Sequence, residues 1–600
     1  MRMARRAAAV SAVIVGLALA AVVARAAVGA LTPAGCLSSG AVSGCTDLGN
    51  TSLKAAFGVA VSPDGVTVYV TGLTGNAVNV FTRSASGALT PAGCLSSGTV
   101  TGCTDLGNTS LKGATGVAVS PDGKTVYVTG GIGNAVNVFT RSASGALTPD
   151  GCLSSGAVTG CTNLGNTSLN GAAGVTVSPD GNTVYVTGES GNAVNVFTRS
   201  ASGALTPDGC LSSGAVTGCT NLGNTSLNGA TSVAVSPDGK TVYVTGYTGN
   251  AVNVFTRSAS GALTPAGCLS SGAVSGCTDL GNTSLNGAYG VAVSPDGKTV
   301  YVTGLTGNAV NVFTRSASGA LTPAGCLSSG AVTGCTDLGN TSLKNAHGVA
   351  VSPDGNTVYV TGESGNAVNV FTRSASGALT PAGCLSSGAV TGCTDLGNTS
   401  LDGATGVAVS TDGKTVYVTA AAGNAVNVFG REAAAGGGNS SGGGSSSGGS
   451  SSGGTSGGGA TDTTPPQFTA HLRMDRKRFR VRGAATTRRH ATAAGSGFAF
   501  ALSEAATVTI RIQRPLPGRR VGGACRSVTH ANRSNTRCTR FQSLGSLSRA
   551  EPSGASHIAF SGRVGGHPLS PGPFRATATA ADAAGNVSGA SVAGFTIVAH

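Results

Sequence analysis

The sequence predicts an all-β chain: a seven-bladed β-propeller of four-stranded blades, followed by a small antiparallel β-sandwich. Three observations lead there. A 58-residue unit recurs without insertion or deletion, its marker cysteine standing at Cys36, Cys94, Cys152, Cys210, Cys268, Cys326 and Cys384. Each unit holds four strand-like runs separated by turn residues and apolar on both faces, as a blade pressed between two neighbours requires. The repeat is also out of phase with its blades. The first copy begins with the strand that stands fourth in a blade, at Ala30-Leu31-Thr32, and the last stops after the third, at Asn424 to Phe429. The N-terminal strand is therefore expected to complete the last blade, closing a ring with no unpaired edge.

Taken in chain order, Arg2, Arg5 and Arg6 precede an apolar run from Ala7 to Val23 and the small-x-small triplet Ala24-Arg25-Ala26. This reads as a signal peptide, residues 1–26, cut after Ala26. Arg5-Arg6 leaves the general secretory and twin-arginine routes both open. The propeller is expected over residues 27–432. In its first full blade, Gly58-Val59-Ala60-Val61 runs into Ser62-Pro63-Asp64-Gly65, where Pro presets the turn and Gly accepts positive φ. Thr67 to Thr71 returns as the second strand, Ala77 to Thr82 follows Gly75-Asn76 as the third, and Ala88-Leu89-Thr90 opens the fourth.

All 16 cysteines fall into close pairs: Cys36 with Cys45, Cys94 with Cys103, Cys152 with Cys161, Cys210 with Cys219, Cys268 with Cys277, Cys326 with Cys335, Cys384 with Cys393, and Cys525 with Cys538. Even numbers at fixed spacing predict disulfides in an oxidising compartment. By loop-closure entropy each propeller bridge contributes roughly 2.5–3 kcal/mol. Zinc is the rival, but no CxxC spacing or nearby His supports it, and neither a metal nor a cofactor is expected.

The motif VAVSPDGKTVYVTG followed by GNAVNVFTRSASGALT, from Val117 to Thr148, resembles the YVTN-type repeats of lactonase-like β-propellers. The resemblance covers about two-thirds of the chain, and the absence of Trp excludes the WD-dipeptide propellers. It implies the fold and, as an expectation only, lactone hydrolysis; no distinctive catalytic motif carries over to numbered residues.

Because strands alternate in direction, the approach to strand one and the turn between strands two and three share one face of the ring. There the copies differ. Ahead of strand one stand Phe57, Thr115, Ala173, Thr231, Tyr289, His347 and Thr405; the two-three turns carry, among others, Glu189, Tyr247 and Glu363. Phe57, Glu189, Tyr247, Tyr289, His347 and Glu363 are thus the candidate ligand rim. His347 and Glu363 belong to one blade, and a His–Glu pair is the candidate general base with its orienting group. Against that stands a solvated surface pair, since no third member is identifiable. The Asp47-type position reads as a loop cap, Asp64 as a turn former, and Asn79 as a bond to neighbouring backbone. The ring from Arg83 to Arg431 reads as solvated or locally paired, with a polyanion as the alternative.

Residues 433–462 are a Gly/Ser-rich linker. Residues 463–600 form a basic β domain with strand runs at Phe498–Leu502, Thr507–Ile512, Ile558–Phe560 and Phe574–Ala581. Its TTPP start and PFRATATAADAAGNVS, from Pro573 to Ser588, resemble bacterial Ig-like or fibronectin-like sandwich modules. From Thr463 onward 19 Lys and Arg face four Asp and Glu, a difference of +15 that accounts for the chain's +14. That surface favours an anionic cell-wall polymer or polysaccharide over nucleic acid, with Arg476, Lys477, Arg478 and Arg480 as a cluster near its start. The leading expectation is a secreted, monomeric binding or scaffold protein, with no membrane span after signal cleavage, held at the cell envelope. The alternative is a lactonase-like hydrolase using the variable rim.

Overall fold

The computed structural model describes residues 29–432, 465–481 and 495–598, apart from 505, 522–523, 552–553, 565–566 and 582–587. The predicted signal peptide and linker lie outside the described residues. The chain divides into two compact units, within 1–440 and 441–600.

The first unit is a ring of seven antiparallel blades. In blade one the strands run Ala56–Val61, Thr67–Gly72, Ala77–Arg83 and Leu89–Ser96. The expectation of four strands needs one correction. A two-residue strand, Thr104–Asp105, pairs in parallel with the fourth, so each sheet has five members. The cysteine loop turns the chain back beside strand four, and Cys94–Cys103 ties the two ends of that turn. All eight predicted disulfides are formed. Asp105 caps the same loop by accepting from the Gly98 and Gly107 amides, both at 3.0 Å, as Asp47 does from Gly40 and Gly49 in the Cys36–Cys45 loop at 3.0 and 2.9 Å.

The seventh blade uses the N-terminal strand. Leu31–Ser38 pairs antiparallel with Ala425–Arg431, joining the two ends of the ring. Between blades the core repeats seven times. Tyr69, Val78, Val80 and Leu95 of blade one meet Leu111, Ala114, Val126, Val128 and Phe139 of blade two. Each such large side chain contributes about 1.5–3 kcal/mol by leaving water. Asn79, inside an otherwise apolar strand, is satisfied by Ser52: its amide donates to the Ser52 carbonyl at 3.0 Å, and its Oδ1 accepts from the Ser52 hydroxyl at 2.5 Å.

The arginine ring is not solvated. Arg141 in blade two reaches back to blade one, pairing with Asp64 at 2.8 Å and donating from Nε to the Tyr69 hydroxyl at 2.8 Å. Its side chain is only 4 % exposed. The Tyr69 hydroxyl in turn donates to the Gly145 carbonyl at 2.7 Å. The same clamp recurs seven times, including Arg83 to Asp412 across the closure. Burial would raise the Asp64 carboxyl, but hydrogen bonds from Ser62 and Val66 and the Arg141 guanidinium outweigh it and hold it below the usual range. These arginines are spent on inter-blade contacts.

The second unit is a two-sheet β-sandwich. One sheet orders Phe468–Met474, Ser496–Leu502 and Gly554–Phe560; the other is built on Gly572–Ala581, Ser591–Ile597 and the long strand Ala506–Val521. Phe498, Phe500 and Phe560 from the first sheet share one core with Val508, Ile510, Phe574 and Phe595 from the second.

Candidate functional site at the propeller channel

The first strand of every blade carries the same irregularity. In blade one Ala56 faces Gly72 and Val59 faces Val70, so Phe57 and Gly58 together oppose Thr71. This β-bulge re-aims a side chain, as bulges do beside sites. Gly58 donates its amide to the Thr71 hydroxyl at 2.8 Å, and that hydroxyl donates to the Thr115 carbonyl of the next blade at 2.6 Å. A Cβ at Gly58 would lie 2.3 Å from the Thr115 oxygen, which explains the glycine.

The consequence is a central cavity of about 210 Å³, lined by the bulged residues and the valines that follow them, from Phe57 and Val59 round to Val407. The variable residues predicted ahead of strand one are in fact its second residues, and six of the seven, all but Thr405, line this channel. On one side they are aromatic. His347 packs against Tyr289, ring centres 4.1 Å apart and planes tilted by 42°, and meets Phe57 edge-on at 5.1 Å; Tyr247 meets Tyr289 edge-on at 6.3 Å. On the other side Thr115 and Thr231 turn their hydroxyls to backbone and to a neighbouring threonine. The channel is therefore sevenfold in its valines and one-sided in its chemistry.

Charge bears on this cluster from the two-three turns of blades three and six. Burial pushes the His347 imidazole down to about 4, opposed by a hydrogen bond to the Thr405 backbone, so the ring is neutral at physiological pH. The Tyr289 phenol is held far above its usual range, first by burial and then by the negative charges of Glu189 and Glu363 and by Tyr247. It remains an O–H donor. Partial burial raises Glu189 and Glu363 themselves.

The structure thus draws Phe57, Tyr247, Tyr289 and His347 together, with Glu189 and Glu363 acting on the Tyr289 phenol. It does not join His347 to Glu363: among the described residues no hydrogen bond or ion pair links them. The reason is the bulge, which turns His347 into the channel while Glu363 stays on the two-three turn. The Thr71-type hydroxyl bridge and the Val59-type lining were not anticipated, and the threonine next to the end of strand two, repeated in all seven blades, was the available signal. No three His, Cys, Asp or Glu side chains come together as metal ligands among the described residues.

Comparisons with known proteins bear on the propeller. The family profile described as Lactonase, 7-bladed beta-propeller, matches residues 59–218, 154–275 and 218–441. No curated protein matches the sequence. Among solved structures, the periplasmic gluconolactonase of Pseudomonas aeruginosa is 19 % identical, with a TM-score of 0.40 over 56 % of this chain and 86 % of its own. Hydrazine synthase of Kuenenia stuttgartiensis is also 19 % identical, with a TM-score of 0.40 over 65 % of this chain and 98 % of that one. A functionally unknown protein from Desulfotomaculum acetoxidans is 17 % identical, with a TM-score of 0.38 over 59 % and 89 %. The family profile spans more than half of the chain, and this chain belongs to the lactonase family of seven-bladed β-propellers.

Proposed function

We propose that the propeller hydrolyses a small lactone at the aromatic side of its channel mouth. The observation that carries this reading is the packing of Tyr289 against His347 on one side of an otherwise repetitive ring, with the charges of Glu189 and Glu363 bearing on the Tyr289 phenol. The cavity of about 210 Å³ lies below the roughly 300 Å³ at which drug-sized pockets begin, so a monocyclic substrate fits the space and a polymer does not. Glu363 or Glu189, with a raised carboxyl, takes a proton from the attacking water. The neutral Tyr289 phenol donates to the carbonyl oxygen as it becomes an oxyanion, the role in which a fixed donor lowers a barrier most. His347 positions the Tyr289 ring through its packing contact.

The test is hydrolysis of five- and six-membered lactones by the full chain, with Glu363→Gln, Glu189→Gln and Tyr289→Phe variants. A general base is worth about 10²–10⁴-fold, so one glutamine variant should lose at least about a hundredfold in kcat/KM. Turnover that survives all three substitutions removes these residues from the reaction. A second reading, a secreted and monomeric scaffold at the cell envelope, is favoured by the excess of 19 basic over four acidic residues beyond Thr463. It predicts no turnover of any lactone.

A further inference from the structure

We propose that an arm of the C-terminal sandwich binds an acidic polysaccharide through a cross-strand row of three arginines, Arg526, Arg519 and Arg537. The strand Ala506–Val521 is longer than the core beneath it. It pairs with Gly572–Ala581 only from Thr507 to Gln513. Beyond that it continues outward, flanked by Arg537–Glu551 along one edge and, from Gly518 to Val521, by Ala524–Ser527 along the other. In this three-stranded arm Arg519 is directly opposite both Arg526 and Arg537. Directly opposed residues share a sheet face, so three guanidiniums stand in one row.

Like charges placed opposite one another destabilise a sheet, and no carboxylate in the arm offsets them, although Arg519 donates from its guanidinium to the Asn535 carbonyl at 2.9 Å. Residues 505–550 hold nine Arg, no Lys, and no Asp or Glu. Among the described residues the ion pairs of this unit are Arg549–Glu551 and His557–Asp475, neither of them in the row. The arm is held instead by a covalent tie. Cys525–Cys538 joins the two outer strands across the central one, passing over Gly518, where a Cβ would lie 2.5 Å from the Cys525 sulfur. Gly518 and Arg519 are successive residues, so the disulfide occupies one face and the arginine row the other. A tie that holds repelling charges in register, with the charged face open, is the architecture of a site completed by an anion.

The chemistry of that anion follows from the groups present. A guanidinium is a planar fork that grips carboxylate or phosphate oxygens in pairs, where Lys offers only a point charge. Strands lie about 4.8 Å apart, so the row spaces its charges on the scale of one sugar ring. Along the same face stands Phe541, 37 % exposed, with the Arg575 guanidinium 3.3 Å from its ring centre. An exposed ring beside a row of forks suits a polymer that alternates apolar sugar faces with carboxylates. The eight disulfides suit an oxidising compartment, which favours glycan over nucleic acid. The site is independent of the lactone reading, and it differs from the module-wide charge expected from the sequence. In the Arg476–Arg480 segment Asp475 lies alongside, bonded to His557 at 2.6 Å.

The experiment titrates the full chain with polygalacturonate, a poly(glycerol phosphate) and duplex DNA at 0.1 M salt. Two triple variants with the same loss of charge are compared: Arg519→Gln/Arg526→Gln/Arg537→Gln in the arm and Arg476→Gln/Lys477→Gln/Arg478→Gln outside it. The arm triple should weaken polygalacturonate binding at least about tenfold without lowering the melting temperature, since it removes a repulsion; the control should weaken it less than about threefold. Equal losses would make the charge diffuse and overturn the site. Tighter binding of DNA or of the phosphate polymer would overturn the polysaccharide. Should the arm triple misfold, Arg526→Gln alone, exposed on the outer strand, must still weaken binding at least about twofold, and unchanged affinity sinks the proposal.

Discussion

The two faces of the propeller are built from the same repeat and treated in opposite ways. On one, Asp64, Tyr69 and Arg141 and their counterparts recur in all seven blades, each arginine buried against the blade before it. On the other, the second residue of the first strand is Phe, Thr, Ala, Thr, Tyr, His and Thr in turn. The difference lies in what each position must satisfy. A clamp residue completes a buried network whose partners lie on another blade, so any change leaves a buried polar group unpaired. A bulged residue faces a channel of about 210 Å³; where it is Thr its hydroxyl bonds the next blade's backbone, as Thr115 does to Ala172, but Phe and Ala stand at the same position without that bond. Uniformity marks the face that holds the ring together, and divergence the face free to acquire chemistry.

The sharpest way to break this contrast is to cut one clamp. Arg141→Ala strands the Asp64 carboxylate and removes a donor from the Tyr69 hydroxyl. Breaking a buried pair costs about 3–5 kcal/mol; Asp64 is 45 % exposed, and water there reduces the expected loss to about 2–3 kcal/mol. Thr115→Ala in the channel should cost less than about 1 kcal/mol. Equilibrium denaturation of the two variants measures both, and equal costs would erase the distinction between the faces.

How far the sequence showed all this depends on the kind of contact. The blades were legible because Ser62-Pro63-Asp64-Gly65 and Gly75-Asn76 fix turns locally and the strands between them alternate. Closure was legible because Leu31 is out of phase with Val426. The clamp was not: Arg141 lies nearer in sequence to Asp122 than to Asp64, and a perfect period cannot say which copy is the partner. Nor was the bulge, since two residues opposite Thr71 leave no mark on the hydrophobic pattern. That is why Phe57 and His347 were placed ahead of the strand rather than inside the channel. The two-residue fifth strand is too short to show any period.

A second prediction uses acid. His347 is pushed down to about 4 by burial, against an ordinary value near 6.5. Above pH 6.5 both folded and unfolded chains carry a neutral ring and the shift has no effect. Between 6.5 and 4 the unfolded chain takes up a proton that the folded one refuses, so stability falls as pH falls. The shift amounts to at most about 3 kcal/mol. His347→Phe keeps the packing surface and removes the titration, so its stability relative to the parent should rise by about that much from pH 7 to pH 4. The aspartates held below the usual carboxylate range, the seven of the clamps among them, are common to both proteins and cancel. A difference that does not move with pH would place His347 in contact with water and away from the channel cluster.

The smallest effect has the most informative sign. Burial raises the Glu363 carboxyl, so the fold favours its protonated form. Stability from that preference is fully present below the ordinary carboxylate value, where both states are protonated, and is lost as pH rises through the folded one. At neutral pH the charged group is therefore a burden, and Glu363→Gln should be more stable than the parent. Glu363 stands on a partly exposed turn, and the gain should stay below about 1 kcal/mol, shrinking toward nothing below about pH 4. If Glu363 rather than Glu189 is the base, the same substitution lowers lactone turnover at least about a hundredfold. A carboxylate that costs stability where it is charged, on the face free to vary, is hard to account for as scaffold. A glutamine variant that is less stable at neutral pH and unchanged in turnover would make Glu363 one more structural residue, and the two faces would then differ only in sequence.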